Sequence, residues 1–219
     1  MQKILKYFLK KAPVGLSGAF LLLLSGCENF LDRQPLDTPS SATFYSSEAE
    51  IRIGLTGVYN AAFWNSRGSV PDLKRIEGST DLIISRKTDP EALAAMGDAG
   101  PFVIGNALSE NGWVQGYRLV ARANDLLEGM KRGEAKTAKA AYARMRGEAL
   151  TLRAWAYLNL ISWYGDVVFY TQPLTPDTYE TQPQTNKAEI AKALYKDLDE
   201  AYASLDLNPA ERGRMSKHF

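Results

Sequence analysis

Apolar positions recur along this chain at steps of three and four residues in four stretches, and each pattern gathers them on one face of a helix. Ser47-Glu48-Ala49-Glu50 forms a capping box ahead of Ile51, Leu55, Val58 and Ala62, which predicts a first helix from about Glu48 to Phe63. Trp113, Tyr117, Val120, Asn124 and Leu127 make a second stripe; Lys131, Arg132 and Gly133 mark its end, cations followed by a C-cap glycine. The third stripe runs through Ala138, Tyr142, Met145, Ala149, Leu152, Ala156 and Asn159, stops at Gly165-Asp166, and defines the longest helix. Pro173, Pro176 and Pro183 forbid regular structure over most of 166–185. Asn186, with Glu189 three residues on, then opens a fourth helix bearing Ile190, Leu194, Leu198, Ala201 and Leu205.

Strand signals are weak. Asp81-Leu-Ile-Ile and Val167-Val-Phe-Tyr are each compatible with a short extended segment, and Asn65 to Ser109 reads as loops with short helices. The expected fold class is all-α, with stacked helix hairpins of the tetratricopeptide (TPR-like) kind and long irregular loops; pattern alone does not separate it from an irregular α-bundle. Ala143, Gly147, Ala154 and Ala156 would let neighbouring helices approach closely. Trp113, Tyr117, Tyr142, Trp155 and Tyr157 lie on the stripes and are expected in the core, while Glu148 and Arg153 are expected to pair on a helix flank beside Arg144 and Arg146.

The N-terminus has a different logic. Lys3, Lys6, Lys10 and Lys11 precede an apolar stretch from Ala12 to Leu24, the order of a secretory signal peptide and too short for a permanent bilayer span, which needs about 20 residues. Leu24-Ser25-Gly26-Cys27 resembles the bacterial lipobox, in which the cysteine becomes the lipidated N-terminus. The predicted organisation is a signal peptide at 1–26, a lipidated Cys27 with an extended Pro- and Ser-bearing tether over 27–46, and a helical domain over 47–219.

Composition narrows the chemistry. The 219 residues hold 26 Lys+Arg and 25 Asp+Glu, but four of the lysines sit in the leader, so from Cys27 onward 22 basic groups face 25 acidic ones, a net of −3. Nothing there calls for a nucleic-acid partner. One Cys and one His cannot form an internal disulfide or supply an ordinary zinc site, and His218, next to the chain end, is poorly placed for a triad. No cofactor-binding motif is present, so any enzyme built on this sequence would work with carboxylates alone.

Several segments taken in order resemble the N-terminal part of the SusD/RagB family, surface nutrient-binding lipoproteins of Bacteroidetes. They are Cys27-Glu-Asn-Phe-Leu-Asp-Arg-Gln-Pro35, Trp113-Val-Gln-Gly-Tyr117 through Ala123-Asn-Asp-Leu-Leu127, Gly147-Glu-Ala-Leu-Thr-Leu-Arg-Ala-Trp-Ala-Tyr157 leading to Trp163-Tyr-Gly-Asp166, Lys196-Asp-Leu-Asp-Glu-Ala201, and Gly213-Arg-Met-Ser-Lys217. Val167-Val168 departs from the family's usual Val-Pro turn. Family members are usually more than twice as long, so the expectation is a domain incomplete at its C-terminus, whose fourth helix leaves an apolar stripe of Ile190, Leu194, Leu198 and Leu205 uncovered.

The resemblance implies a lipoprotein facing outward from the outer membrane. It would bind an oligosaccharide or other nutrient and close over a TonB-dependent, SusC-like transporter, with no cofactor and no metal. Such a site needs aromatic faces to stack on sugar rings, and amide, carboxylate and guanidinium groups to read hydroxyls. The candidate ligand-binding residues are Trp64, Asn65, Asp72, Arg75, Asp81 and Arg86, where helical periodicity fails. No binding residue transfers by motif, and Trp64 also reads as a packing residue. Two alternatives stay open: a carboxylate glycosidase using Glu77 and Asp81, and a helical scaffold that binds only protein.

Overall fold

The structure, a computed structural model, describes residues 43–62 and 107–218. The leader, Cys27, the tether as far as residue 42 and the whole stretch 63–106 lie outside the described residues. The described elements are α1 (Glu48–Ala62), α2 (Ala107–Gly129), a 3₁₀ helix (Met130–Lys136), α3 (Lys139–Tyr164), β1 (Val167–Val168), a single-turn α4 (Pro176–Tyr179), β2 (Gln184–Thr185) and α5 (Lys187–Ser204). The architecture is helical, as the periodicity predicts.

Each boundary has a local cause. Ser47 Oγ accepts the Glu50 N–H at 3.4 Å, and the Glu50 carboxylate reaches past it to the Ser46 N–H at 2.7 Å, so the capping box closes one residue further back than the motif suggests. The fold also takes in residues that composition assigns to the tether. Tyr45 is buried and donates its hydroxyl to Asp125 at 3.0 Å, while Arg132 Nη2 donates to the Phe44 carbonyl at 2.8 Å.

The second helix ends otherwise than expected. Gly133 does not cap it in the left-handed region; the chain tightens into the 3₁₀ helix from Met130 and carries Gly133 within it. Its missing side chain matters for space: a Cβ there would sit 2.6 Å from the Tyr45 carbonyl oxygen and 2.8 Å from Ile51 Cδ1. Gly165, by contrast, stops α3 in the predicted way, at φ 77°. The next residue helps to start α5, because Asp166 Oδ1 accepts the Lys187 N–H at 2.9 Å while Asn186 Oδ1 accepts that of Ala188.

Helix α3 is the spine, packing against α1, α2 and α5. Every residue from Gly147 to Arg153, and Ala154 after it, is buried, a run of two turns that leaves no solvent face. Around it sit Ile51, Leu55 and Val58 of α1, Leu119 and Leu126 of α2, and Ile190 of α5, each worth roughly 1.5–3 kcal/mol on burial. Gly147 sets the closest approach of α5: a Cβ there would collide with Ser204 Oγ and meet the Ala201 carbonyl oxygen at 3.3 Å. The proline-rich connection is not wholly irregular, since Val167 pairs with Thr185 and Val168 with Gln184 in a two-residue antiparallel ladder.

Candidate functional site

Trp64, Asn65, Asp72, Arg75, Asp81 and Arg86 all fall in 63–106 and lie outside the described residues, as do Glu77 and Cys27. The described part shows what surrounds them in sequence: two buried polar clusters and one apolar groove.

The first cluster centres on Arg153. Its Nε and Nη2 both reach Asp197 Oδ2, at 3.0 and 2.6 Å, and Nη1 donates to Asn124 Oδ1 at 2.8 Å and to the Thr171 carbonyl at 3.3 Å. Asn124 Nδ2 in turn donates to the Tyr170 carbonyl at 3.1 Å. The Tyr157 hydroxyl donates to that same carbonyl at 2.8 Å and accepts the Tyr170 N–H at 3.0 Å. One guanidinium thus joins α2, α3, α5 and the chain after β1. Burial raises the Tyr157 phenol far above its usual range, so it stays neutral and able to donate.

The second cluster holds the C-terminal segment. Glu148, 2% exposed, accepts the Tyr59 hydroxyl at 2.6 Å and lies 3.4 Å from Arg214. The Tyr59 oxygen also accepts the Met215 N–H at 2.7 Å, and Arg214 lies over the Tyr59 ring, its Cζ 5.2 Å from the centroid. Burial pushes the Glu148 carboxyl above the ordinary carboxylate range, against the Tyr59 hydrogen bond and the Arg214 charge, which pull it down. Glu148 and Arg153 therefore do not pair with Arg144 and Arg146 along a helix flank. Those two arginines reach Asp206 and Glu200 instead, and the buried pair is spent on tertiary contacts.

In each cluster the carboxylate is engaged by a cation inside the body. What the clusters do is fix helix positions, as bidentate and multiply bonded charges do.

The expected core aromatics divide. Tyr157 is fully buried, whereas Trp113, Tyr117, Tyr142 and Trp155 are half-buried against the core. Tyr117 stacks on Tyr170 with centroids 6.1 Å apart and planes 7° from parallel, and Trp113 meets Tyr164 edge-on at 5.1 Å. Trp155 instead lines a groove of about 560 Å³ between α3 and α5, together with Leu158, Ile161, Tyr195, Leu198 and Met215. Sequence reasoning misses this groove because it sets α5's outward residues aside. The stripe of Ile190, Leu194, Leu198 and Leu205 is not left uncovered as expected: Ile190, Leu194 and Leu205 are buried and Leu198 is half-buried against the core, because that face packs on the body, and the exposed aromatics of the helix are Tyr195, 69% exposed, and Tyr202, 56% exposed.

The sequence profile of the SusD-like family described as starch-binding and associating with the outer membrane matches residues 29–218, and the chain belongs to that family. Among its relatives, a SusD-like protein P25 from Formosa agariphila is 28% identical over 201 residues, covering 87% of this chain and 38% of that protein. A SusD-like protein from Bacteroides ovatus is 24% identical over 218 residues, covering 97% of this chain and again 38% of the relative. The chain thus spans well under half the length of these relatives. In structure it is similar to a SusD-like protein from Bacteroides fragilis, with a TM-score of 0.70 at 22% identity over 84% of this chain and 35% of that one. It is similar also to a laminarin-binding SusD-like protein, with a TM-score of 0.68 at 23% identity over 79% and 38%.

Proposed function

We propose that this chain is the helical part of a lipid-anchored outer-membrane protein that binds a glycan and passes it to a TonB-dependent, SusC-like transporter. The observation that carries the proposal is the match of residues 29–218 to a family described as starch-binding and associating with the outer membrane. A structural neighbour described as laminarin-binding supports a glycan as the ligand class. Leu24-Ser25-Gly26-Cys27 supports anchoring through the lipidated Cys27, and the outward-facing orientation rests on the family resemblance alone.

Binding of this kind needs shape, stacking and hydrogen bonds, and no proton transfer. Trp64 would supply a stacking face, and Asn65, Asp72, Arg75, Asp81 and Arg86 the polar readers of hydroxyl groups. The helical body supplies rigidity, since its strongest polar contacts hold helix to helix. Affinity gel electrophoresis through laminarin and through soluble starch, with product analysis of the same mixtures, tests the reading. Retention by one glycan without product, weakened at least tenfold by Trp64→Ala, is the expected result. Product formation would move the protein to the glycosidases, and no retention by any glycan tried would leave the protein-binding scaffold.

A further inference from the structure

Leu152, Ala156, Asn159 and Trp163 step by four, three and four residues and so lie on one side of α3. Helix α1 runs up this side: Tyr59 bonds Glu148, and Ala62, its last residue, borders the groove together with Leu152 and Trp155. Burial falls off along the same line. Leu152 and Ala156 are buried, Asn159 is half-buried and Trp163 is 37% exposed. The chain leaves the described body at Ala62, beside this stripe, and returns in α2, where a Cβ on Gly112 would sit 2.5 Å from the Tyr164 hydroxyl. Both ends of the stretch that carries the candidate ligand-binding residues therefore open onto the last turns of α3.

The exposed indole is braced. Its ring centroid lies 6.5 Å from that of Tyr164, and Trp113 meets Tyr164 edge-on at 5.1 Å. One turn below, Asn159 Nδ2 donates to the Trp155 carbonyl at 2.7 Å, which fixes the amide, and Asn159 Oδ1 has no hydrogen-bond partner among the described residues. An apolar ring face on a rigid element, beside an unused amide acceptor, suits a pyranose: the C–H face of the sugar lies on the ring while a hydroxyl donates to the amide. Residues four apart on a helix hold their Cβ atoms about 5–6 Å apart, close to the breadth of one sugar ring. A protein partner would need about 800 Å² on each side with an apolar centre, whereas the exposed chain neighbours of the indole are Ser162 and Asp166. We propose that Trp163 and Asn159 form a pyranose-binding shelf at the C-terminal end of α3, a part of the glycan site carried by the helical body itself. The shelf rests on the glycan-binding reading above and adds two residues to it.

Two measurements on residues 28–219 test the shelf, with laminarin or soluble starch as the probe, whichever retains the wild type. In affinity gels Trp163→Ala should weaken retention about tenfold, and Trp163→Tyr, which keeps a stacking face, only about twofold. Asn159→Ala should weaken it about threefold, and Tyr179→Ala, at a side chain 60% exposed on α4, should leave it unchanged. Oxidative footprinting of the wild type, read by peptide mass spectrometry, should show Trp163 oxidised at least threefold more slowly at saturating glycan, with Tyr179 unaffected. Retention that Trp163→Ala leaves intact overturns the shelf while the glycan-binding reading stands, and so does oxidation of Trp163 at one rate with and without glycan. If no glycan tried retains the wild type, the shelf falls together with the reading it rests on. Should Trp163→Ala melt far below the wild type, the footprint of the wild type decides alone.

Discussion

Arg153→Ala is the sharpest probe of how this body is held together. The Arg153 side chain is 7% exposed and Asp197 17%, so the pair sits away from most solvent screening. Removing the guanidinium strands the Asp197 carboxylate, the Asn124 side-chain oxygen and the Thr171 carbonyl in one step. Breaking a buried ion pair from one side costs about 3–5 kcal/mol, and the partial exposure of Asp197 puts the expectation at the lower end, about 3 kcal/mol. For a body of this size that lowers the melting temperature by roughly 6–12 °C. Urea unfolding of residues 28–219, followed by far-UV ellipticity, gives the difference directly. Arg52→Ala is the internal control, because Arg52 and Glu211 are 43% and 55% exposed and such pairs contribute about 0–1 kcal/mol. Adding Asp197→Ala to Arg153→Ala should recover part of the loss, since the stranded charge goes with it. If Arg153→Ala costs no more than Arg52→Ala, or the double-variant coupling is below about 0.5 kcal/mol, the cluster does not join the helices as argued.

Four further outcomes can be measured, three from the same geometry and one from the lipobox sequence. Gly147→Ala should destabilise by about 1–3 kcal/mol despite alanine's helix preference, and Ser204→Ala, which removes the hydroxyl in its way, should shrink that loss in denaturant melts. Glu148 is protonated more readily in the folded chain than in the unfolded one, so its contribution to stability is complete below the unfolded value near 4.5 and is lost as pH rises through the raised folded value; Glu148→Gln should flatten the part of the stability profile above the unfolded value. Trp155→Ala should cost about 2 kcal/mol, less than the roughly 3–5 of a fully buried tryptophan, because the ring is half in the groove; a loss above about 4 would mean that the groove is closed in solution. Cys27→Ala should abolish labelling by a fatty-acid probe and release the protein from membranes, and unchanged partitioning would remove the lipid anchor from the functional reading.

The helices were legible because their signals are local. Spacing located α1 and α5 to within a residue or so, and Gly165 and Asn186 stop and start helices by the mechanisms their residue types suggest. Gly133 misled because a glycine after two cations reads as a cap, whereas here it makes room for the Tyr45 backbone and Ile51, residues more than eighty positions earlier. Val167-Val168 was legible as a possible extended segment, but its partner Gln184-Thr185 was hidden for a related reason. Two residues on each side carry no periodicity, and their pairing is fixed by the chain returning from Gly165 to Asn186.

The polar clusters show where sequence reasoning stops. Glu148 and Arg153 lie near other charges at helical spacing, and spacing alone favours a solvated flank. Burial reverses that reading: on a helix surrounded from Gly147 to Ala154, a charge must find its partner on another element, and Asp197 and Arg214 are those partners. One sequence signal did exist, since Asn124 interrupts an otherwise apolar stripe, and a polar residue on a core face is there to satisfy something. The glycan site has no comparable signal. A tryptophan that stacks on a sugar and one that packs in a core are the same residue with the same spacing, and only the neighbours that surround them differ. Trp155 illustrates the ambiguity from within the described body: its stripe marks it as core, yet it forms one wall of an open groove. Trp64 carries the same double meaning, which is why ligand retention, and not melting temperature, is the measurement that assigns it.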